Sequence, residues 1–319
     1  MTVISGMKFG QSEGAIVADE QSSDGFRKYD MAAKLSIIES PDKTVRAVLG
    51  GTGAAAVLYD VTLQLPQAIE QNAPTLSDGR SLAAITAHVM AMVKKQYIDS
   101  YLFDKFRLRE IDFQTGNLTT PEGNRPIDPS IMQQYHQLIS GQSEFAQHIN
   151  NAFLVLTTDK SGVQLYTVSM ALGNPIPVVR PYESIGSGSE TADSELYAFF
   201  ENIPREKRSD IDRVEGIAAL LFATHRATVR NPGVGGIPLI AILQGNEIIQ
   251  PDENSSKLGV ELVRAARSGV ISEPFKREAL EGLMYKGSIF ADVEKGMWAE
   301  AKKLGAERKL SMMLRGYKV

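Results

Sequence analysis

The sequence predicts an α+β protein built as a four-layer αββα sandwich, with an α-helical C-terminal extension. Three observations carry that expectation. Strand-like runs open the chain and return in its middle, each time ahead of two stretches with helical period. Clusters of Gly, Ser, Asn and Asp separate those strands at hairpin spacing. Beyond about residue 250 the apolar residues follow helical spacing alone. The expected division is a sandwich over 1–250 with an insertion near 103–147, then a helical extension over 251–319.

The elements follow in order. Residues 3–9 read as a strand, "GQSEG" as a turn, and 15–18 as a short buried strand. Two more strands are expected at 33–39 and 44–49. Residues 53–72 suit a helix, with Pro66 as its break or kink. Ser77 or Asp78 caps the next helix, whose apolar residues Leu82, Ile85, Val89, Met92, Val93 and Tyr97 share one face. The stretch "FQTGNLTTPEGNRPIDPS" is rich in turn signals and reads as a loop or insertion. Strands resume at 152–157 and 163–170 around "TDKSG". "IGSGSETADSELYAFF" enters a helix, a second spans about 210–228, and "RNPGVGGIPLIAIL" turns into a strand. In the extension, "SEPFKREALEGLMYKG" has a serine N-cap, a first-turn proline and a closing glycine.

Bulk composition excludes several function classes. With 43% hydrophobic and 23% charged residues, the 319-residue chain can bury a substantial core. Its net charge of −4 gives no electrostatic footprint for nucleic acid. There is no cysteine, so disulfides, thiolate metal sites and a thiol nucleophile are out. No apolar run approaches the ~20 residues that span a bilayer, and the N-terminus lacks a signal peptide's three regions. A cytoplasmic protein without membrane contact is expected. The four histidines, His88, His136, His148 and His225, lack metal-ligand spacing. "RNPGVGG" and "LGGTGA" lack the P-loop lysine and the dinucleotide fingerprint, so no cofactor and no metal are expected.

Thr2 poses the functional question. Its side chain is small enough for an aminopeptidase to remove Met1. A hydroxyl and a free α-amine would then share one residue, a nucleophile with its own base. "TVISGMKF" is a strand that starts on this threonine. "GAIVADEQSS" places Asp19 at the end of the next strand, and "DMAAKLSII" places Lys34 at the start of the third. In this order the three stretches resemble the proteasome β-subunit family and its bacterial relative, the peptidase of the two-component ATP-dependent protease. "VLGGTGAAA", "TDKSGVQLYTVS", "IGSGSETA" and "RNPGVGGIPL" extend the resemblance over most of 2–250.

The resemblance implies an N-terminal nucleophile (Ntn) hydrolase fold and a threonine-type peptidase. Thr2 matches the nucleophile, Asp19 and Lys34 its activating pair, Gly50 the oxyanion-hole glycine and Ser187 the serine that bonds the α-amine. The family's Asp and Ser ahead of its last glycine pair are replaced here by Asn231 and Val234, which weakens the usual amine relay. Ser23 matches the residue that pairs with the substrate backbone, and Ala32, Val48 and Thr52 the first specificity pocket, implying a neutral or apolar preference. Implied partners are a peptide or protein substrate, further copies of the chain in a ring or helical oligomer, and an ATP-dependent unfoldase. Two alternatives stay open: a transpeptidase or small-molecule amidase that uses the same threonine, and an inactive scaffold like the proteasome α subunits.

Overall fold

A computed structural model of the protein describes residues 2–20, 22–24, 27–29, 34–120, 123–140, 143–231 and 234–314, with backbone alone at 22–24, 27–29, 119 and 120. The chain opens with β1 (Ile4–Lys8) and β2 (Glu13–Asp19), joined by the expected turn. A short hairpin of β3 (Ser22–Asp24) and β4 (Arg27–Tyr29) follows, which the sequence pattern did not announce. Then come β5 (Leu35–Glu39) and β6 (Arg46–Thr52). Helix α1 (Ala55–Gln71) runs unbroken through Pro66, whose exposed ring faces outward, so the expected break is absent. Asp78 caps α2 (Gly79–Phe106) by accepting from Ser81 N–H at 2.8 Å.

The insertion is more ordered than its turn signals suggest. It contains α3 (Glu110–Thr115), a hairpin of β7 (Asn117–Thr120) and β8 (Gly123–Pro126), then α4 (Pro129–Ile139) and α5 (Glu144–His148). Phe113, Ile127, Tyr135 and Leu138 bury one another against Ile98 and Leu102 of α2. The Phe113 and Tyr135 rings stack at 4.4 Å. This small core explains how a polar stretch holds its shape.

The second half contains β9 (Ala152–Asp159), β10 (Gly162–Ser169), β11 (Ile176–Pro177) and β12 (Tyr182–Ile185). Helices α6 (Ser189–Glu201) and α7 (Arg213–Arg230) follow, then β13 (Pro238–Gln244) and β14 (Glu247–Ile249). Four helices complete the described chain: α8 (Glu253–Arg267), α9 (Glu273–Tyr285), α10 (Phe290–Lys303) and α11 (Glu307–Met313).

Two five-stranded sheets result, ordered β12-β1-β2-β13-β14 and β11-β10-β9-β6-β5. Side-chain alternation sorts each strand between two layers. Ile4, Ile16, Ala18 and Val48 meet Leu154, Leu156 and Ala241 between the sheets. Val3, Met7 and Val17 face the other way, onto Leu196, Ile217 and Leu221 of α6 and α7. Ala47 and Leu49 turn outward to Val57, Val61 and Met90 of α1 and α2. The layers are therefore helix, sheet, sheet, helix. Each fully buried Ile or Leu in them contributes about 1.5–3 kcal/mol. The terminal helices join the same core, with Leu258, Leu280, Met297 and Leu310 buried in the cluster that holds Met7 and Val17.

One buried acid stands out in that helical layer. Glu261 of α8 is 8% exposed and its Oε1 has no hydrogen-bond partner among the described residues. Burial pushes its carboxyl up to about 7, against the pull of Lys257 and Arg264 and with the help of Glu294. A raised folded-state value means that the folded protein holds a proton the unfolded chain has released. Stability should therefore fall as pH rises from about 4.5 to about 7, by up to about 3 kcal/mol from this group. Urea unfolding of Glu261→Gln between pH 5 and 8 should show a gain at pH 8 and a flatter profile. An unchanged slope would count against this assignment.

Candidate active site

Asp19 ends β2 and sits 1% exposed, opposite Pro238 of β13. A buried carboxylate needs partners, and this one has three. Its Oδ1 accepts from Val3 N–H at 2.8 Å and from Lys34 Nζ at 2.8 Å. Its Oδ2 accepts from Gly235 N–H at 3.2 Å. Asp19 N–H returns a bond to Val3 O at 3.1 Å, so the two strands are clamped one residue beyond Thr2. Lys34, itself buried, is fixed from behind by Gly51 N–H, which donates to Lys34 O at 3.0 Å.

Burial dominates the electrostatics of the pair. It pushes the Asp19 carboxyl above its usual value, against the Lys34 charge and hydrogen bonds. It pulls the Lys34 ammonium below the ordinary lysine value, while Asp19 and Glu20 oppose that change. A lysine so shifted yields its proton more readily than one in water, which general-base work requires.

The Thr2 backbone is gripped from the other side. Its N–H donates to Ser187 Oγ at 3.1 Å, and its carbonyl accepts from Gly188 N–H at 3.1 Å. Gly186 lies so close that a Cβ there would fall 2.3 Å from Thr2 O, and its φ of +96° is glycine's territory. The same Cβ would lie 3.2 Å from Thr52 Oγ1, which brings the end of β6 beside Thr2. Thr2 and Val3 lead into β1 and Val3 faces the helices, so the alternation of the strand, carried back two residues, turns the Thr2 side chain toward the space between the sheets.

The other expected residues fall as follows. Gly50 lies in register with Leu35 and Leu154. N–H direction alternates along a strand, and Gly51 N–H faces Lys34, so Gly50 N–H faces β9. Val48 is fully buried between the sheets. Ser23 pairs with Lys28 in the β3–β4 hairpin, and Ala32 lies outside the described residues. Asn231 stands at the end of α7, where its amide donates to Thr191 Oγ1 at 3.2 Å and Ala227 O at 3.0 Å. Val234 is buried against Gly188. His225, which burial and two arginines push down to about 4, joins Asp19, Thr224, Thr228 and Gly236 around a cavity of about 140 Å³ behind the site. Among the described residues no cluster of His, Asp and Glu is suited to a metal.

Sequence reasoning missed Gly235, which bonds Asp19 through its backbone, and Glu20, whose Oε2 accepts from Ile237 N–H at 3.0 Å. Backbone donors carry no side-chain signature, and only the double glycine hinted at the first. Asp19→Ala should strand the buried Lys34 charge and cost about 3–5 kcal/mol. Asp19→Asn keeps an acceptor for Val3 N–H and should lose less. Urea denaturation at neutral pH tests both, and a loss under about 1 kcal/mol for Asp19→Ala would contradict the clamp.

No protein-family model matches the chain, and no curated protein matches it. Solved structures do. The chain is similar to Anbu (ancestral beta-subunit) from Yersinia bercovieri, with 13% identity and a TM-score of 0.55 over 84% of this chain and 94% of that one. It is also similar to the Anbu (Gly-1) mutant from Hyphomicrobium sp. strain MC1, with 14% identity and a TM-score of 0.57 over 86% of this chain and 96% of that one. At such identity the likeness concerns the fold alone.

Proposed function

We propose that the protein is a threonine-type peptidase whose nucleophile is Thr2 after removal of Met1. The observation that supports it most is the buried Lys34–Asp19 pair, 2.8 Å long, bonded to Val3, the residue after Thr2. Thr2 Oγ1 attacks the carbonyl carbon of a peptide bond. Its proton passes to neutral Lys34 or to the freed α-amine, and from there to the departing amine. The acyl-threonine ester is then cleaved by water, which returns the hydroxyl to Thr2. Asp19 orients Lys34 and compensates its charge when it is protonated. Ser187, already bonded to the Thr2 nitrogen, holds the α-amine in place.

A second reading keeps the nucleophile and changes the acceptor or the substrate. Val234 and Asn231 offer no carboxylate to the amine end of Thr2, and Asn231 spends its amide on Thr191 and Ala227. An amine that resolves the ester in place of water would make the protein a transpeptidase, whereas a small amide in place of the peptide, with water still the acceptor, would make it an amidase. As a peptidase or transpeptidase its partners would be a peptide or protein, further copies of this chain and, as a possible feeder, an ATP-dependent unfoldase.

Turnover of a fluorogenic peptide panel should be lost at least ~100-fold in Thr2→Ala and in Lys34→Ala, with the folds intact by circular dichroism. The pH–rate profile should rise on a limb below the ordinary lysine range, because burial lowers Lys34. Hydrolysis that survives Thr2→Ala overturns the reading. Product analysis with an added amine separates ligation from hydrolysis.

A further inference from the structure

The segment from Gly50 to Ala54, which passes Thr2 at Thr52, carries five backbone N–H groups, and four of them have evident partners. Gly51 N–H donates to Lys34 O at 3.0 Å. Gly50 and Thr52 face β9 by alternation, in register with Leu154 and Ala152. Ala54 N–H donates to Asn151 Oδ1 at 2.6 Å. Gly53 N–H has no partner among the described residues. It follows Thr52, whose hydroxyl lies beside Gly186 and the Thr2 carbonyl. An unpaired amide next to a nucleophile is what a developing oxyanion requires.

Gly53 does not take its shape unaided. Its φ is +129°, a conformation open to glycine. A Cβ there would fall 2.0 Å from Asn151 Oδ1, so the asparagine packs directly on the Gly53 backbone. Asn151 is fully buried. Its Nδ2 donates to His148 O at 3.2 Å, at the end of the insertion's last helix, and lies 3.7 Å from Met170 Sδ. One side chain thus ties the turn after β6 to the insertion and to the end of β10.

We infer that Gly53 N–H is the oxyanion donor for Thr2 and that Asn151 is the residue that positions it. The inference rests on the threonine-peptidase reading. Attack by Thr2 Oγ1 moves the carbonyl electron pair onto oxygen, and Gly53 N–H stabilises that charge until the amine leaves. Gly50 N–H, turned toward β9, stays in its ladder throughout.

The test uses a peptide boronate, whose tetrahedral adduct with a threonine hydroxyl carries an oxygen in the oxyanion position. In a crystal structure of the adduct that oxygen should lie within hydrogen-bond distance of Gly53 N. Asn151→Ala should lower kcat about 100-fold with KM within threefold. It should weaken the boronate to a similar degree and leave a C-terminal amide of the same peptide unaffected. Asn151→Asp keeps the acceptor for Ala54 N–H and should restore kcat to within tenfold of wild type. It also serves if the alanine variant fails to fold. An adduct oxygen seated on another donor overturns the inference, as does Thr2-dependent turnover that Asn151→Ala leaves within threefold. Turnover independent of Thr2, or no boronate adduct at Thr2, overturns the peptidase reading and this inference with it.

Discussion

The Asp19 carboxylate organises the end of the sandwich where the candidate site lies. It joins the start of β1 through Val3, the entry of β5 through Lys34 and the approach to β13 through Gly235. Three segments far apart in sequence thereby converge on one buried group. A charge in so dry a place is tolerable only with every partner present, so the requirement to satisfy Asp19 fixes the chain around it. Thr2 inherits its position from that requirement, because the residue after it is one of the three donors.

The grip on Thr2 has a second half. Ser187 and Gly188 hold its nitrogen and carbonyl, and Gly186 allows the turn to come that close. The two halves come from the inner strands and from the loop ahead of α6. Each restrains the backbone of Thr2.

Much of this was readable in the residues. The sheet strands β1, β2, β5, β6, β9 and β10 lie close to where alternation and turn chemistry put them, and Asp19 and Lys34 stand at the strand ends that their surroundings implied. Other parts were hidden for identifiable reasons. β12 is four residues long and exists by pairing with β1, so nothing local marks it. The order in the insertion comes from Phe113, Tyr135 and Leu138 packing on α2, contacts that a turn-rich stretch conceals. The Gly235 amide and the Asn151 bond to Ala54 are long-range or backbone features, invisible to periodicity. Pro66 was overridden by packing, since Val61, Leu65 and Ile69 bury the helix on both sides of it.

The pairing of β1 with β12 has a consequence in time. Ile4 meets Ile185, and Asp19 meets Pro238, so the first sheet closes only after some 240 residues have left the ribosome. At about 5–20 residues per second, translation takes roughly 12–48 s to reach that point. Until residue 185 has emerged the N-terminal strand has only its hairpin neighbour to pair with, and Thr2 lies outside its finished enclosure. The trimming proposed for Met1 needs access to the same place, and late closure of the sheet leaves that access open.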